Sequence, residues 1–136
     1  MTSRQVILLC GPPGAGKTTL AHTYGEPFNV YDLDDPQWHN NERIFKVALA
    51  NLGRSATAHA VVIRSGATRH ARAEAARLVR ATDIRIVDTP QDECVRRVRA
   101  RARPRPPMHQ QVAAVSDWWN NYEPPPVCPS VRDADW

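Results

Sequence analysis

Val6-Ile7-Leu8-Leu9-Cys10-Gly11-Pro12-Pro13-Gly14-Ala15-Gly16-Lys17-Thr18 reads as an apolar strand that turns through glycines into the start of a helix. The spacing Gly-x4-Gly-Lys-Thr is the Walker A pattern, and a strand before it with a helix-compatible segment after it is the context that pattern requires. Glycines let backbone N–H groups close around phosphate oxygens, and a helix starting near Lys17 points its positive dipole end at them. Gly11, Pro12, Pro13, Gly14, Ala15, Gly16, Lys17, Thr18 and Thr19 are therefore the candidate nucleotide-binding residues. Lys17 is placed to reach the β- and γ-phosphates, and the Thr18 hydroxyl to sit on Mg²⁺, with Thr19 beside it. A nucleoside triphosphate, ATP or another, with Mg²⁺ is the expected ligand.

At 136 residues the chain has room for one core. No apolar run approaches the ~20 residues of a membrane span, and the first residues lack the charged-then-apolar order of a secretory signal. A soluble, cytoplasmic protein is expected. Cys10, Cys94 and Cys128 are odd in number and lack metal-type spacing, so they read as reduced thiols. The net charge of +4 is unevenly spread: residues 64–105 hold twelve arginines against five acids, whereas residues 1–63 are balanced. That balance favours an anionic partner.

Beyond the loop the chain alternates strand and helix. Phe28–Tyr31, His59–Ile63 and Ile84–Val87 are the further strand candidates. A helix is expected over Asn41–Leu52, with Ile44, Val47, Ala48 and Leu52 on its inner face and Gly53 as its stop. A second is expected over Arg69–Ala81, with Ala71, Ala75, Leu78 and Val79 inward. A third starts at Thr89-Pro90, with threonine as cap, and buries Cys94, Val95 and Val98. A last helix is expected near Gln110–Tyr122, where Trp118 and Trp119 are read as packing residues. The pattern implies an α/β fold: a P-loop NTPase-type three-layer sandwich with a short parallel sheet of about four strands. The domain is read as residues 1–123, and the proline-rich residues 124–136 as a loosely held tail.

In such sheets ligands lie at the carboxyl ends of the strands, where the glycine loop, Asp32 and Asp34, Arg64-Ser65 and Asp88-Thr89 all fall. Asp34 is the candidate general base for an attacking hydroxyl. The competing reading of Asp32, Asp34 and Asp35 is turn and cap chemistry ahead of Pro36. Arg96 to Arg105 form a basic run that starts on a helix and is broken by prolines. It reads as a lid over about residues 97–109. Arg97 and Arg101, four apart, share a helical face and are candidates for neutralising a triphosphate during transfer. The histidines show no ligand spacing.

With these residues in view, the chain over about residues 4–122 resembles the small P-loop kinases of the phage-type 5′-polynucleotide kinase branch, related to the zeta-toxin kinases. The resemblance rests on Gly11 to Thr18, on Asp34-Asp35 after the second strand, and on Arg97 and Arg101 followed by Pro107. It implies that Asp34 is the general base and that the arginine pair belongs to a lid. Two positions depart from the family pattern: Gln37 stands where an arginine is usual, and Arg64-Ser65-Gly66 stand where an acid follows the third strand. Ser65 and Asp88 are the open replacements for that acid.

The expected function is ATP-dependent transfer of the γ-phosphoryl group to a hydroxyl of a polynucleotide end, nucleoside or nucleotide, with Lys17, Asp34, Arg97 and Arg101 as catalytic residues. The alternative is a nucleotide-binding regulatory or assembly module that keeps the loop without catalysis. Neither the acceptor nor the oligomeric state is legible in the sequence.

Overall fold

The computed structural model describes residues 3–126, so the tail expected over 124–136 lies, from 127 onward, outside the described residues, as does Cys128. Four strands, β1 (Gln5–Cys10), β2 (Asn29–Tyr31), β3 (His59–Arg64) and β4 (Asp83–Ile86), form one sheet in the order β2-β3-β1-β4. All pairings are parallel, and Leu8 is flanked by Val62 on one side and Ile84 on the other. The two strands with continuous apolar sequence take the centre, because only a central strand is covered on both faces. The edge strands are shorter and more exposed.

Among the described residues five α-helices accompany the sheet: α1 (Lys17–His22), α2 (Glu42–Arg54), α3 (Arg69–Val79), α4 (Gln91–Arg101) and α5 (Met108–Asn121). Strand alternation divides β1 between two cores. Val6, Leu8 and Cys10 pack with Phe45, Leu49 and Leu52 of α2 and Val79 of α3. Ile7 and Leu9 pack with Val61, Ile63 and Ala21 of α1 on the other face. A third cluster joins Ala15 of the glycine loop to Cys94 and Val98 of α4 and Val115 of α5. Each fully buried Phe or Leu contributes on the order of 1.5–3 kcal/mol.

Polar contacts fix the helix ends. Asn41 Oδ1 accepts from Ile44 N at 3.1 Å, and Thr68 Oγ1 accepts from Ala71 N at 3.1 Å, so α2 and α3 both start at side-chain caps. The negative ends of the same two helices converge on one cation. Arg4 donates to the carbonyls of Ser55 (2.8 Å), Val79 (2.6 Å) and Arg80, satisfying acceptors that a helix C-terminus leaves free. A second arginine ties down the chain end. Arg72, 5% exposed, donates to Gly66 O at 2.8 Å and Ala67 O at 2.9 Å, and also to Glu123 O, while Arg69 Nε donates to Pro124 O at 2.7 Å.

Several helix faces differ from the sequence reading. In α2 the buried stripe is Phe45, Leu49, Leu52 and Gly53, whereas Ile44 and Val47 are 55% and 59% exposed. Two apolar stripes overlap in that sequence, and the sheet selects the one carrying the bulky Phe45. Gly53 does not stop the helix, which runs on to Arg54. Its role is close approach: a Cβ there would lie 2.2 Å from Leu78 O of α3. In α3 the inward residues are Arg72 and Val79, with Ala75 half-buried and Leu78 36% exposed. Thr89 does not cap α4, which follows Pro90 without a side-chain cap. Its hydroxyl donates instead to Ala15 O at 2.8 Å. Cys94 and Val98 are buried, and Trp118, 4% exposed, packs against Tyr122 and donates from Nε1 to Ser65 O at 2.7 Å.

Helix propensity alone predicts that Gly53→Ala stabilises the protein by about 1 kcal/mol. The packing against Leu78 predicts the reverse, a loss of about 1–3 kcal/mol in urea unfolding. A midpoint at or above that of the wild type would show that α2 and α3 do not touch at Gly53.

Candidate functional site

The glycine loop leaves the carboxyl end of β1 and enters α1 through Gly14 and Gly16, both left-handed with φ of +78° and +95°. Gly16 is the residue immediately before α1, and a side chain there would be strained whatever the space around it. Among the described residues the amides of Gly14, Gly16, Lys17, Thr18 and Thr19 meet no protein acceptor, while Ala15 N is satisfied by Pro12 O at 3.1 Å and Leu20 N by Gly16 O at 2.9 Å. Unpaired donors at a helix start fit a phosphate group.

Lys17 extends back along the loop, its ammonium donating to Gly11 O at 2.6 Å. Burial pushes its pKa below the usual lysine value, and Cys10, Asp32 and Asp34 pull it back up. A poorly solvated ammonium beside free amides suits a polyphosphate. On the same strand end, burial drives the Cys10 thiol up to about 11, against the opposing pull of Lys17, Arg72 and Arg64. Cys10 is therefore a neutral packing group at physiological pH.

Thr18 and Asp32 form a pair that the sequence reading missed. Thr18 Oγ1 donates to Asp32 Oδ2 at 2.7 Å, and the other oxygen of that carboxylate accepts from Asp34 N at 3.0 Å. A hydroxyl and a carboxylate are hard oxygen donors of the sort Mg²⁺ takes, with its remaining positions left to phosphate and water. Among the described residues no group of three or more His, Cys, Asp or Glu could hold a metal unaided. The signal for Asp32 was present in the sequence. Because β3 ends in Arg64, a carboxylate near Thr18 has to come from another strand end, and β2 delivers it. Neither Ser65 Oγ nor Asp88 hydrogen-bonds Thr18 among the described residues, and Ser65 offers its carbonyl to Gly11 N at 3.1 Å and to Trp118 Nε1 at 2.7 Å.

The three acids after β2 divide their roles. Asp35 caps the short 3-10 turn Pro36–Trp38, accepting from Gln37 N at 3.1 Å, as turn chemistry requires. Asp34 is exposed, and its Oδ2 lies 3.5 Å from Arg103 Nη1, beyond the end of α4. Gln37 lies within the turn and Arg64 pairs with Glu42 Oε1 at 2.5 Å, so neither faces the loop amides through a hydrogen bond.

The arginine pair of α4 also divides. Arg97 donates from Nη1 to Ala15 O at 3.1 Å and from Nε to Glu93 Oε1 at 3.3 Å, which fixes it against the glycine loop. Arg101 makes no hydrogen bond among the described residues. Burial lowers its pKa, neighbouring Arg103 lowers it further, and Asp34 opposes both. The loop after α4 is pinned from α5: Gln111, 5% exposed, donates to Arg103 O at 2.8 Å and Pro106 O at 2.6 Å. Lys17, Thr18, Asp32, Asp34, Arg97 and Arg101 thus gather at one end of the sheet, together with Arg103.

Comparison with known proteins places this geometry. A family model described as AAA domain matches residues 1–106. The chromosome transmission fidelity protein 18 homolog of Drosophila melanogaster is 48% identical over 50 residues, which is 35% of this chain and 5% of that protein. Among solved structures, a gluconokinase from Sinorhizobium meliloti 1021 superposes with a TM-score of 0.54 at 15% identity, covering 97% of this chain and 81% of that one. A shikimate kinase from Acinetobacter baumannii, in complex with shikimate, gives 0.52 at 20% identity, covering 96% and 88%. Those likenesses are of fold: a four-stranded parallel P-loop sheet flanked by helices. The chain belongs to the AAA domain family.

Proposed function

We propose that this protein is an ATP-dependent phosphotransferase that moves the γ-phosphoryl group to a hydroxyl, with a polynucleotide end, nucleoside or nucleotide as acceptor. The observation that carries the reading is the placement of two carboxylates with separate duties beside one phosphate loop. Asp32 is bonded to the Thr18 hydroxyl, while Asp34, one turn further on, stands exposed opposite the arginines at the end of α4. The fold shared with small kinases and the resemblance to the polynucleotide kinase branch support it.

In this scheme the loop amides from Gly14 to Thr18 and the Lys17 ammonium hold the phosphates. Thr18 and Asp32 would hold Mg²⁺, which supplies charge neutralisation to the phosphate oxygens when bound. Asp34 orients the acceptor hydroxyl and takes its proton as the new O–P bond forms and the bond from the γ-phosphorus to the bridging oxygen breaks, leaving the nucleoside diphosphate. Arg101 and Arg103 lie beside Asp34, where they would offset the charge spreading over the transferred group. Arg97 acts through Ala15 by holding the loop in shape.

A second reading rests on Arg64. A cation at the end of the strand next to β1, together with the AAA family match, suits a module that binds nucleotide for regulation or assembly without transferring phosphate.

Incubation with γ-labelled ATP, Mg²⁺ and separate pools of 5′-hydroxyl DNA, 5′-hydroxyl RNA and nucleosides separates the two. Label in one pool supports the transferase; tight ATP binding with every pool unlabelled supports the module. Lys17→Ala is expected to abolish nucleotide turnover while leaving the circular dichroism spectrum unchanged. Asp34→Asn is expected to lower transfer by about 10²–10⁴-fold with ATP affinity preserved. Asp32→Asn is expected instead to raise the Mg²⁺ concentration needed for half-maximal rate by about 10–100-fold. Equal effects of the two substitutions on rate and on Mg²⁺ requirement would contradict the division of duties.

A further inference from the structure

A groove of about 710 Å³ runs between α2 and α3 on the outer side of the core, and no residue assigned to the phosphate site lines it. Its charged lining is one-sided: Lys46, Arg54, Arg64, Arg77 and Arg80 against the single acid Glu74. The far-end cations are only locally engaged. Arg54 bonds neutral Asn51, and Arg80 donates to Gly53 O at 3.2 Å, so their charges are not cancelled. Lys46 and Arg77 are exposed and make no hydrogen bond or ion pair among the described residues. Glu42 offsets Arg64 at the near end, and Glu74 lies 3.3 Å from His70.

The groove also has direction. One end is Arg64-Ser65-Gly66, at the carboxyl end of β3, where Ser65 O accepts from Gly11 N, the first residue of the phosphate loop, at 3.1 Å. The other end is Arg54 and Arg80, at the carboxyl ends of the two helices. The stretch of α2 that lines the groove, Lys46 to Arg54, spans about 12 Å. An apolar floor including Leu49, Ala75 and Leu78 lies between the cations. A cationic track that ends beside the first residue of the glycine loop suits a linear polyanion whose terminus is the acceptor.

We infer that the α2–α3 groove binds single-stranded nucleic acid through its phosphates, guiding a 5′-hydroxyl end toward the glycine loop. The inference rests on the proposed transferase reading and narrows its acceptor to a strand rather than a free nucleoside. Affinity of this kind is electrostatic and insensitive to sequence.

The test uses the whole chain without ATP and a 12-nucleotide single-stranded 5′-hydroxyl DNA labelled at its 3′ end, followed by fluorescence anisotropy at several salt concentrations. Lys46→Ala/Arg77→Ala removes two exposed cations and is expected to weaken binding about tenfold or more and to reduce the salt slope by about 1.4, the share of two phosphate contacts. Arg99→Ala, which removes an exposed cation outside the groove, is expected to bind the strand as the wild type does. Unchanged affinity and slope in the double variant would overturn the inference. So would capture by phosphatidylserine vesicles that depends on the same two residues while the oligonucleotide does not bind. A parallel label-transfer assay with a free nucleoside keeps the two readings apart. Nucleoside labelled equally by wild type and double variant, with strand binding unaltered, leaves the transferase and removes the groove. Strand binding lost in the double variant, with no acceptor labelled by either protein, leaves the groove and removes the transferase.

Discussion

The carbonyl of Ala15 accepts from both Thr89 Oγ1 and Arg97 Nη1, and these two bonds brace a loop whose own bonds, Ala15 N to Pro12 O and Lys17 Nζ to Gly11 O, leave most of its amides free. A phosphate loop must keep several amides unpaired and aimed at one point, which forfeits the bonds that would otherwise define its backbone. Its shape is therefore imposed from outside. β1 anchors it in the centre of the sheet, Ser65 O takes the amide of Gly11, and α4 closes over Gly14 and Ala15 through Cys94 and Val98. The α4–α5 pair is in this sense a support for the loop as much as a carrier of arginines.

That support links packing to charge. Arg97 is held between Glu93 and Ala15, whereas Arg101 on the same helical face makes no hydrogen bond among the described residues. Arg103, beyond the end of the helix, is the arginine in contact with Asp34. Burial lowers the pKa of Lys17, so the site holds a poorly solvated cation before any anion arrives, with the exposed Arg101 and Arg103 nearby. Such a cation interacts more strongly with phosphate than a solvated one does, because less water has to be displaced.

Strand positions were legible in the sequence because central parallel strands are continuous apolar runs and their signal needs no partner. Helix faces were legible only where one apolar stripe existed. In α4 the reading of Cys94 and Val98 matches the structure, but in α2 two stripes compete, and the choice of Phe45 over Ile44 follows from the sheet beneath it. Polar residues with two local uses were the least legible. Thr89 suits a helix cap by every local rule, yet its hydroxyl bonds a loop 74 positions away. Asp32 was readable as a turn former, and its bond to Thr18 exists only because β2 ends and α1 begins at the same edge of the sheet.

Local spacing alone was enough to read a phosphate loop after the first strand, a parallel α/β sheet around it, and acids and arginines at the strand ends. Folding in three dimensions settled which acid meets Thr18, which arginine bonds the loop, and that α2 and α3 leave a basic groove between them. Those are pairings between residues distant in the chain, and pairing is set by how helices seat on the sheet.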